Sequence, residues 1–462
     1  MFRAKNIDMT RGPILQSIIA YSIPLILSGV LQIFFNAADL AVVGNFAGDR
    51  ATIATAAVGA TGAFIALIVN TVMGLSAGVN VTLARSIGAK NDYKSSRIVH
   101  TAMMLSIIAG IFVGILGFAI SPIAMKITKC PIESYSRAVL YLRIYFAGAP
   151  AIFVYNFGSA ILRTKGDTKR PLNFLLISGI INVILNILFV TVFNMDADGV
   201  ALATTISQCI AATLTVRCLM LQNDSTRYFI NKSRIYKDEF FAILRYGLPS
   251  GLTNAMYSVA NIQIQSAING FGPSAVAGSS ALSSLESFIA ACYSAMNATA
   301  IAFVGQNIGS GNKKRIKKIM MYCTILAISF AVILGYAIFF IGEPLYKIYV
   351  PKDPEAIRVA VIKAEIMLTT YFILAISQML GAISQAFGYA VSITSISVVG
   401  IFGIRTVWMN LIFPYFNNPE GCDTGLKTVF WCYPFTWIII AVSNGVVLYL
   451  AYNRYMKKGL VK

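Results

Sequence analysis

Apolar runs of helical length recur from one end of the chain to the other, and this recurrence limits the fold more than any other feature. Twelve can be marked, the first over 14–43, the fourth over 138–162, the seventh over 240–268 and the last over 429–452. Each is close to or above the roughly 20 residues that an α-helix needs to cross a bilayer. The runs show no alternation of apolar and polar residues, so they read as helices and not as barrel strands. With 57% hydrophobic and only 12% charged residues, the chain has too little polar surface for a soluble enzyme, a disordered chain or a secreted disulfide scaffold. The first run is too long for the apolar region of a signal peptide and no small-residue cleavage site follows it, so it is read as a retained span.

The net charge of +19 would suggest nucleic acid in a soluble protein. Here most of the bases fall in every second gap between spans, as in Arg85–Arg97, Arg163–Arg170 and Lys313–Lys318. That is the positive-inside pattern, with an even number of spans and both termini in the cytoplasm. It accounts for the basic balance and leaves no call for nucleic acid. The seven cysteines form no CxxC pair and no metal-ligand spacing. They read as small buried hydrophobes, with a Cys422–Cys432 bridge left open.

The chain repeats itself. Tyr21-Ser22-Ile23-Pro24 in the first span is echoed by Tyr246-Gly247-Leu248-Pro249 in the seventh. Ala84-Arg85-Ser86-Ile87-Gly88-Ala89-Lys90 after the second span is echoed by Gly305-Gln306-Asn307-Ile308-Gly309-Ser310-Gly311 after the eighth. The expectation is an all-α membrane protein of twelve transmembrane helices in two six-helix bundles, related by a pseudo-two-fold axis along the membrane normal. The bundles would take residues 1–221 and 239–462, with 222–238 as a cytoplasmic linker. Pro24 and Pro249 cannot donate a backbone hydrogen bond, so each is a candidate hinge in the first helix of its half.

Of 18 acids, Asp39, Glu286 and Glu365 fall inside apolar runs. An ionisable group in hydrocarbon is costly and by default marks a functional site. Asp39 is the best placed, between Ile33-Phe34-Phe35 and Leu40-Ala41-Val42-Val43, with no base in its span. There a carboxylate can take up and release a proton, or hold a sodium ion if neutral oxygens surround it. Glu286, in Ser283-Ser284-Leu285-Glu286-Ser287, can attract a cationic substrate. Phe34, Phe35, Tyr155 and Tyr257 can line a cavity and stack on flat cations. Glu365 has Lys363 close by and reads as half of a snorkelled pair at the interface. His100 reads as interfacial, and Arg405 is the least expected base, there to neutralise a buried acid or a helix end.

Several stretches taken together carry a family resemblance. These are IPLILSGVLQIFFNAADLAVVG in the first span, GLSAGVNVTLARSIGAKND after the second and LRTKGDTKRP after the fourth. GVALATTISQ opens the sixth, and FVGQNIGSGNKK follows the eighth. Set out in this order, they resemble the multidrug and toxic compound extrusion (MATE) family over nearly the whole chain. The resemblance implies two six-helix bundles and export of organic, often cationic, compounds against an inward flow of protons or sodium ions. It also implies neutral oxygens facing Asp39 from Asn182, Asn186 and Thr204. At position 186 some relatives carry a second acid where this chain has Asn, which leaves the ion open between H+ and Na+.

The reading is therefore a secondary active exporter of drug-like molecules, an antiporter working by alternating access. It is not an enzyme, has no cofactor, and acts as a monomer in the bacterial cytoplasmic (inner) membrane. The alternative is a lipid-linked precursor flippase of the same broad superfamily, which would place more bases in its cavity than Arg405 and Arg143 supply. One His and no metal spacing argue against a membrane-embedded enzyme.

Overall fold

The structure, a computed structural model, describes residues 6–46, 48, 51–128, 130–351, 353–416 and 422–458. Among these residues there is no strand. The helices are α1 (Ile14–Phe46), α2 (Ala51–Gly88), α3 (Asp92–Ile127), α4 (Ile132–Ala147), α5 (Ala149–Thr164), α6 (Lys169–Thr191) and α7 (Ala197–Met220). There follow α8 (Lys237–Asn269), α9 (Pro273–Gly309), α10 (Lys313–Ile341), the short α11 (Glu343–Tyr349), α12 (Pro354–Ala386), α13 (Ala390–Phe416) and α14 (Cys422–Lys458).

Ten of these helices are individually long and apolar enough to cross a membrane. α4 and α5 together make an eleventh span, bent by 46°. The sequence places one span over 138–162, and the structure breaks it near its middle. The break has a local cause: Gly148 caps α4, and Pro150 in the first turn of α5 cannot continue the hydrogen-bond ladder. The bent pair rests on a glycine face of α3. A Cβ at Gly110 would lie 2.6 Å from Pro150 Cα, and one at Gly114 would lie 2.9 Å from the Phe146 carbonyl oxygen. Only residues without a side chain let these backbones approach so closely.

A further long helix, α8, has 33 residues but is not among these apolar spans. Asn254, Tyr257, Asn261 and Gln265 recur along it at steps of three or four, which puts them on one face. Elsewhere large apolar side chains stand outward, among them Phe112, Ile115, Phe340 and Tyr449. In a bilayer these meet lipid and are not a solubility defect.

The chain divides into two compact units. The first holds Ile23–Gly247 together with residues 6–8, and the second holds Met9–Ser22 and the described chain from Leu248 on. The chain therefore passes between units just before Pro24 and just before Pro249. Both prolines lie inside their helices. The Ser28 hydroxyl donates to the Pro24 carbonyl at 2.8 Å, and the Thr253 and Thr394 hydroxyls donate to the Pro249 carbonyl at 3.0 and 2.7 Å.

The stretch 222–238 is docked within the first unit. The Phe229 amide donates to His100 Nε2 at 3.2 Å, the Tyr236 amide donates to the Thr101 hydroxyl at 3.1 Å, and Arg97 pairs with Glu239 at 2.8 Å. His100 thus serves as an anchor for this stretch, its Nδ1 satisfied by the Ser96 carbonyl at 2.7 Å.

Candidate functional site

In the first unit α1, α6 and α7 bring four polar side chains together. Asp39 is 9% exposed, and Asn182 and Asn186 are buried one helical turn apart. Asn186 Nδ2 donates to Asp39 Oδ1 at 2.6 Å and to Asn182 Oδ1 at 3.3 Å. Asn182 Nδ2 donates to the Thr204 hydroxyl at 3.2 Å, and that hydroxyl donates to Asp39 Oδ2 at 3.4 Å. The hydrogen bonds close into a ring in which both carboxylate oxygens are engaged by neutral donors.

Two properties of this ring have chemical consequences. None of the ion pairs among the described residues involves Asp39. A buried carboxylate without a counter-ion gains from binding a small cation, because binding removes its net charge. Asn186 Oδ1, buried beside it, has no hydrogen-bond partner. The site thus offers one charged oxygen donor group and several neutral ones, the ligand type that suits a hard monovalent cation. Tyr141 and Tyr145 of α4 lie close enough to feel the Asp39 charge. Sequence reasoning missed them, although their i, i+4 spacing on one helix was a usable signal.

The second unit holds a different arrangement. Glu286 of α9 is paired with Lys363 of α12, Nζ to Oε2 at 3.1 Å. The same ammonium donates to the Ser283 hydroxyl at 2.6 Å and to the Ser279 carbonyl at 3.1 Å. Lys363 is 4% exposed, so it is no snorkelled partner of Glu365, which is exposed. The expected Lys363–Glu365 pair is corrected on that point. The physical reason is that residues two apart on a helix do not face each other.

The remaining candidates are dispersed. Phe34 stands outward, while Phe35 packs on Gly179, where a Cβ would come within 1.9 Å of its ring. Tyr155 is buried in the core of the first unit and its hydroxyl donates to the Pro171 carbonyl at 3.3 Å. Tyr257 is half-buried on α8, its hydroxyl accepting from Gln378 Nε2 at 3.2 Å. Cys432 is a free buried thiol. The expected Cys422–Cys432 bridge cannot be placed, because the side chain of Cys422 lies outside the described residues.

Comparison with known proteins follows the same division into halves. The sequence model of the MatE family matches residues 24–188 and again residues 249–409. The chain belongs to the MatE family. Within the MatE matches, Pro24 and Pro249 are the first residues of the two segments, and Asp39, Asn182, Asn186, Glu286, Lys363 and Arg405 all fall inside them. The chain is 28% identical over 453 residues to the probable multidrug resistance protein YpnP of Bacillus subtilis, covering 98% of each. It is 24% identical to the probable multidrug resistance protein NorM of Thermotoga maritima, covering 87% of this chain and 86% of that one. In fold it matches a solved structure described as an outward-facing conformation of a multidrug resistance MATE family transporter of the MOP superfamily. That match has a TM-score of 0.88 at 19% identity and covers 99% of this chain and 100% of the other. This MatE protein is accordingly a helical, multi-pass membrane protein with the twelve-span fold, of a family that includes multidrug efflux transporters.

Proposed function

We propose that the chain is a secondary active exporter that antiports organic compounds against protons or sodium ions by alternating access, with Asp39 as the coupling group. The observation that carries this reading is the Asp39 ring: a buried carboxylate held by Asn186 and Thr204 and paired with no base. Uptake of a proton or a sodium ion neutralises it, and release restores an unfavourable charge in an apolar setting. The state of Asp39 therefore biases how α1 packs against α6 and α7, and Pro24 gives α1 a place to bend. Coupling requires that ion and drug bind with different affinity to the two facing states. The names of YpnP and NorM support the multidrug part of the reading. The distribution of bases supports a cytoplasmic-membrane protein with both termini inside. The repeat within one chain supports action as a monomer.

The test is efflux of a fluorescent cationic dye from vesicles given either a pH gradient or a sodium gradient. One of the two drives efflux, and Asp39→Asn, inserted and folded, lowers the driven rate by about a hundredfold or more. Efflux driven by neither gradient defeats the antiport reading, and undiminished efflux in Asp39→Asn removes Asp39 from coupling.

A further inference from the structure

Between α5 and α7 the first unit carries an open groove of about 410 Å³. Its cause is local. Pro150 stands at the break in the span, and Ala151 and Ala212 are too small to close the space beside it. The wall is hydrocarbon apart from one hydroxyl and one base. The hydroxyl, of Thr213, is satisfied by the Cys209 carbonyl at 2.8 Å, so the groove makes no demand for water. From Ala212 to Met220 it follows α7 for about 12 Å. That is the half of the span next to the basic stretches Arg163–Arg170 and Arg227–Lys237.

The base is Arg217, in the last turn of α7 and exposed, as are Thr213 and Met220 on the same helix face. None of the ion pairs among the described residues involves it. The acids of the neighbouring turns are taken, Asp167 by Arg170 at 3.3 Å and Asp224 by Lys165. Bases inside other spans have partners of their own. Arg405 Nη1 donates to Asn261 Oδ1 at 3.2 Å and its guanidinium carbon stands 4.5 Å from the Tyr433 ring centroid, while Lys363 pairs with Glu286. A helix C-terminus favours a base such as Arg217 but leaves its donors open to a ligand. A guanidinium presents paired donors that match a phosphate. A phosphate joined to an alkyl chain fits both the base and the apolar strip beside it.

We propose that this groove is the seat of one anionic glycerophospholipid, its phosphate on Arg217 and one acyl chain laid between α5 and α7 against Ala151 and Thr213. Basic positions beside grooves between spans are where anionic headgroups bind. A soluble phosphate gains nothing from the apolar strip, and a cationic drug is repelled by Arg217. The groove of the second unit between α8 and α13, about 690 Å³, has no charged residue on its wall. It offers contact to any acyl chain and no preference for an anion. The proposal does not rest on the exporter reading or on the role of Asp39.

The experiment is native mass spectrometry of the purified full chain in detergent, titrated with dioleoylphosphatidylglycerol or with dioleoylphosphatidylcholine. Wild type is expected to take up its first phosphatidylglycerol about fivefold more tightly than phosphatidylcholine. Two substitutions at exposed positions probe the two parts of the seat. Arg217→Gln abolishes the preference and leaves phosphatidylcholine binding within about twofold. Thr213→Trp fills the strip and weakens the first phosphatidylglycerol to the level of the later ones. Lys317→Gln removes an exposed base of α10, in the other unit, and leaves the preference intact. Glycerol 1-phosphate, which has the phosphate but no acyl chain, does not displace the lipid. The proposal is overturned if wild type shows no preference, or if the preference survives Arg217→Gln or Thr213→Trp. It is equally overturned if Lys317→Gln removes the preference, which would make it a property of overall charge, or if glycerol 1-phosphate competes.

Discussion

Each unit of this MatE protein buries an acid inside an apolar run, Asp39 in one and Glu286 in the other, and these two are treated in opposite ways. Asp39 in the first unit is held by an amide and a hydroxyl, and no base neutralises it. Glu286 in the second unit has an ammonium at 3.1 Å, itself fixed by Ser279 and Ser283. An acid already paired with a buried cation has little to gain from binding another, so the pair is a fixed element of the unit. An acid supported only by neutral groups keeps its capacity to load and unload. Burial alone therefore does not identify a coupling site; the charge of its immediate neighbours does.

The sharpest way to break this comparison is to remove one partner on each side. Lys363→Met leaves Glu286 buried without its cation and should cost about 3–5 kcal/mol, read as the largest fall in melting temperature of any single variant considered. Adding Glu286→Gln to it should return most of that loss, because no charge remains to be compensated. Asp39→Asn, by contrast, should leave the melting temperature unchanged or raise it while transport is lost. Equal destabilisation by Asp39→Asn and Lys363→Met would show that both acids are structural, and the contrast would fall.

The same contrast shows what the sequence could and could not disclose. The spans were legible because an apolar run of helical length has few alternatives in a membrane. Asp39 was legible because nothing charged shares its span. The Glu286–Lys363 pair was not, since its members are far apart in sequence and meet only because α9 packs on α12. Lys363 had a nearer acid, Glu365, and helical geometry alone argues against that pairing. The bend at Gly148–Pro150 was encoded locally but was masked by the apolar run around it. The docking of 222–238 on α3 depends on tertiary partners such as His100 and Thr101, which a polar linker composition does not reveal.

A milder change sharpens the comparison at the level of ligands. Asn186→Leu keeps the volume of the side chain but removes its donors to Asp39 and Asn182. The half-saturating concentration of the driving ion should rise about tenfold, with maximal efflux within a few-fold of wild type. Asn261→Leu, in the second unit, should leave that concentration unchanged. An unaltered ion dependence in Asn186→Leu would make the neutral groups around Asp39 a packing device and not a coordination set.

The smallest effect is expected where an acid of the first unit is paired but half in water. Asp224, after α7, is 43% exposed and contacts the Lys165 ammonium. Partial burial opposes its charge, but Lys165 and the hydroxyl and amide of Thr226 outweigh that and hold its carboxyl below the usual carboxylate range. A carboxylate depressed on folding stabilises above its unfolded pKa and loses that contribution as pH falls through the folded value. The attachment of this turn should thus be fully present at neutral pH and weaken only below about pH 4. Asp224→Asn should cost less than about 1 kcal/mol at neutral pH, given solvent and salt screening. Hydrogen exchange of the Thr226 and Arg227 amides is the readout. Faster exchange in the variant at neutral pH, matched by wild type only in acid, is the expected result. A variant effect as large as that of Lys363→Met would show that exposure does not separate the paired acids of this protein.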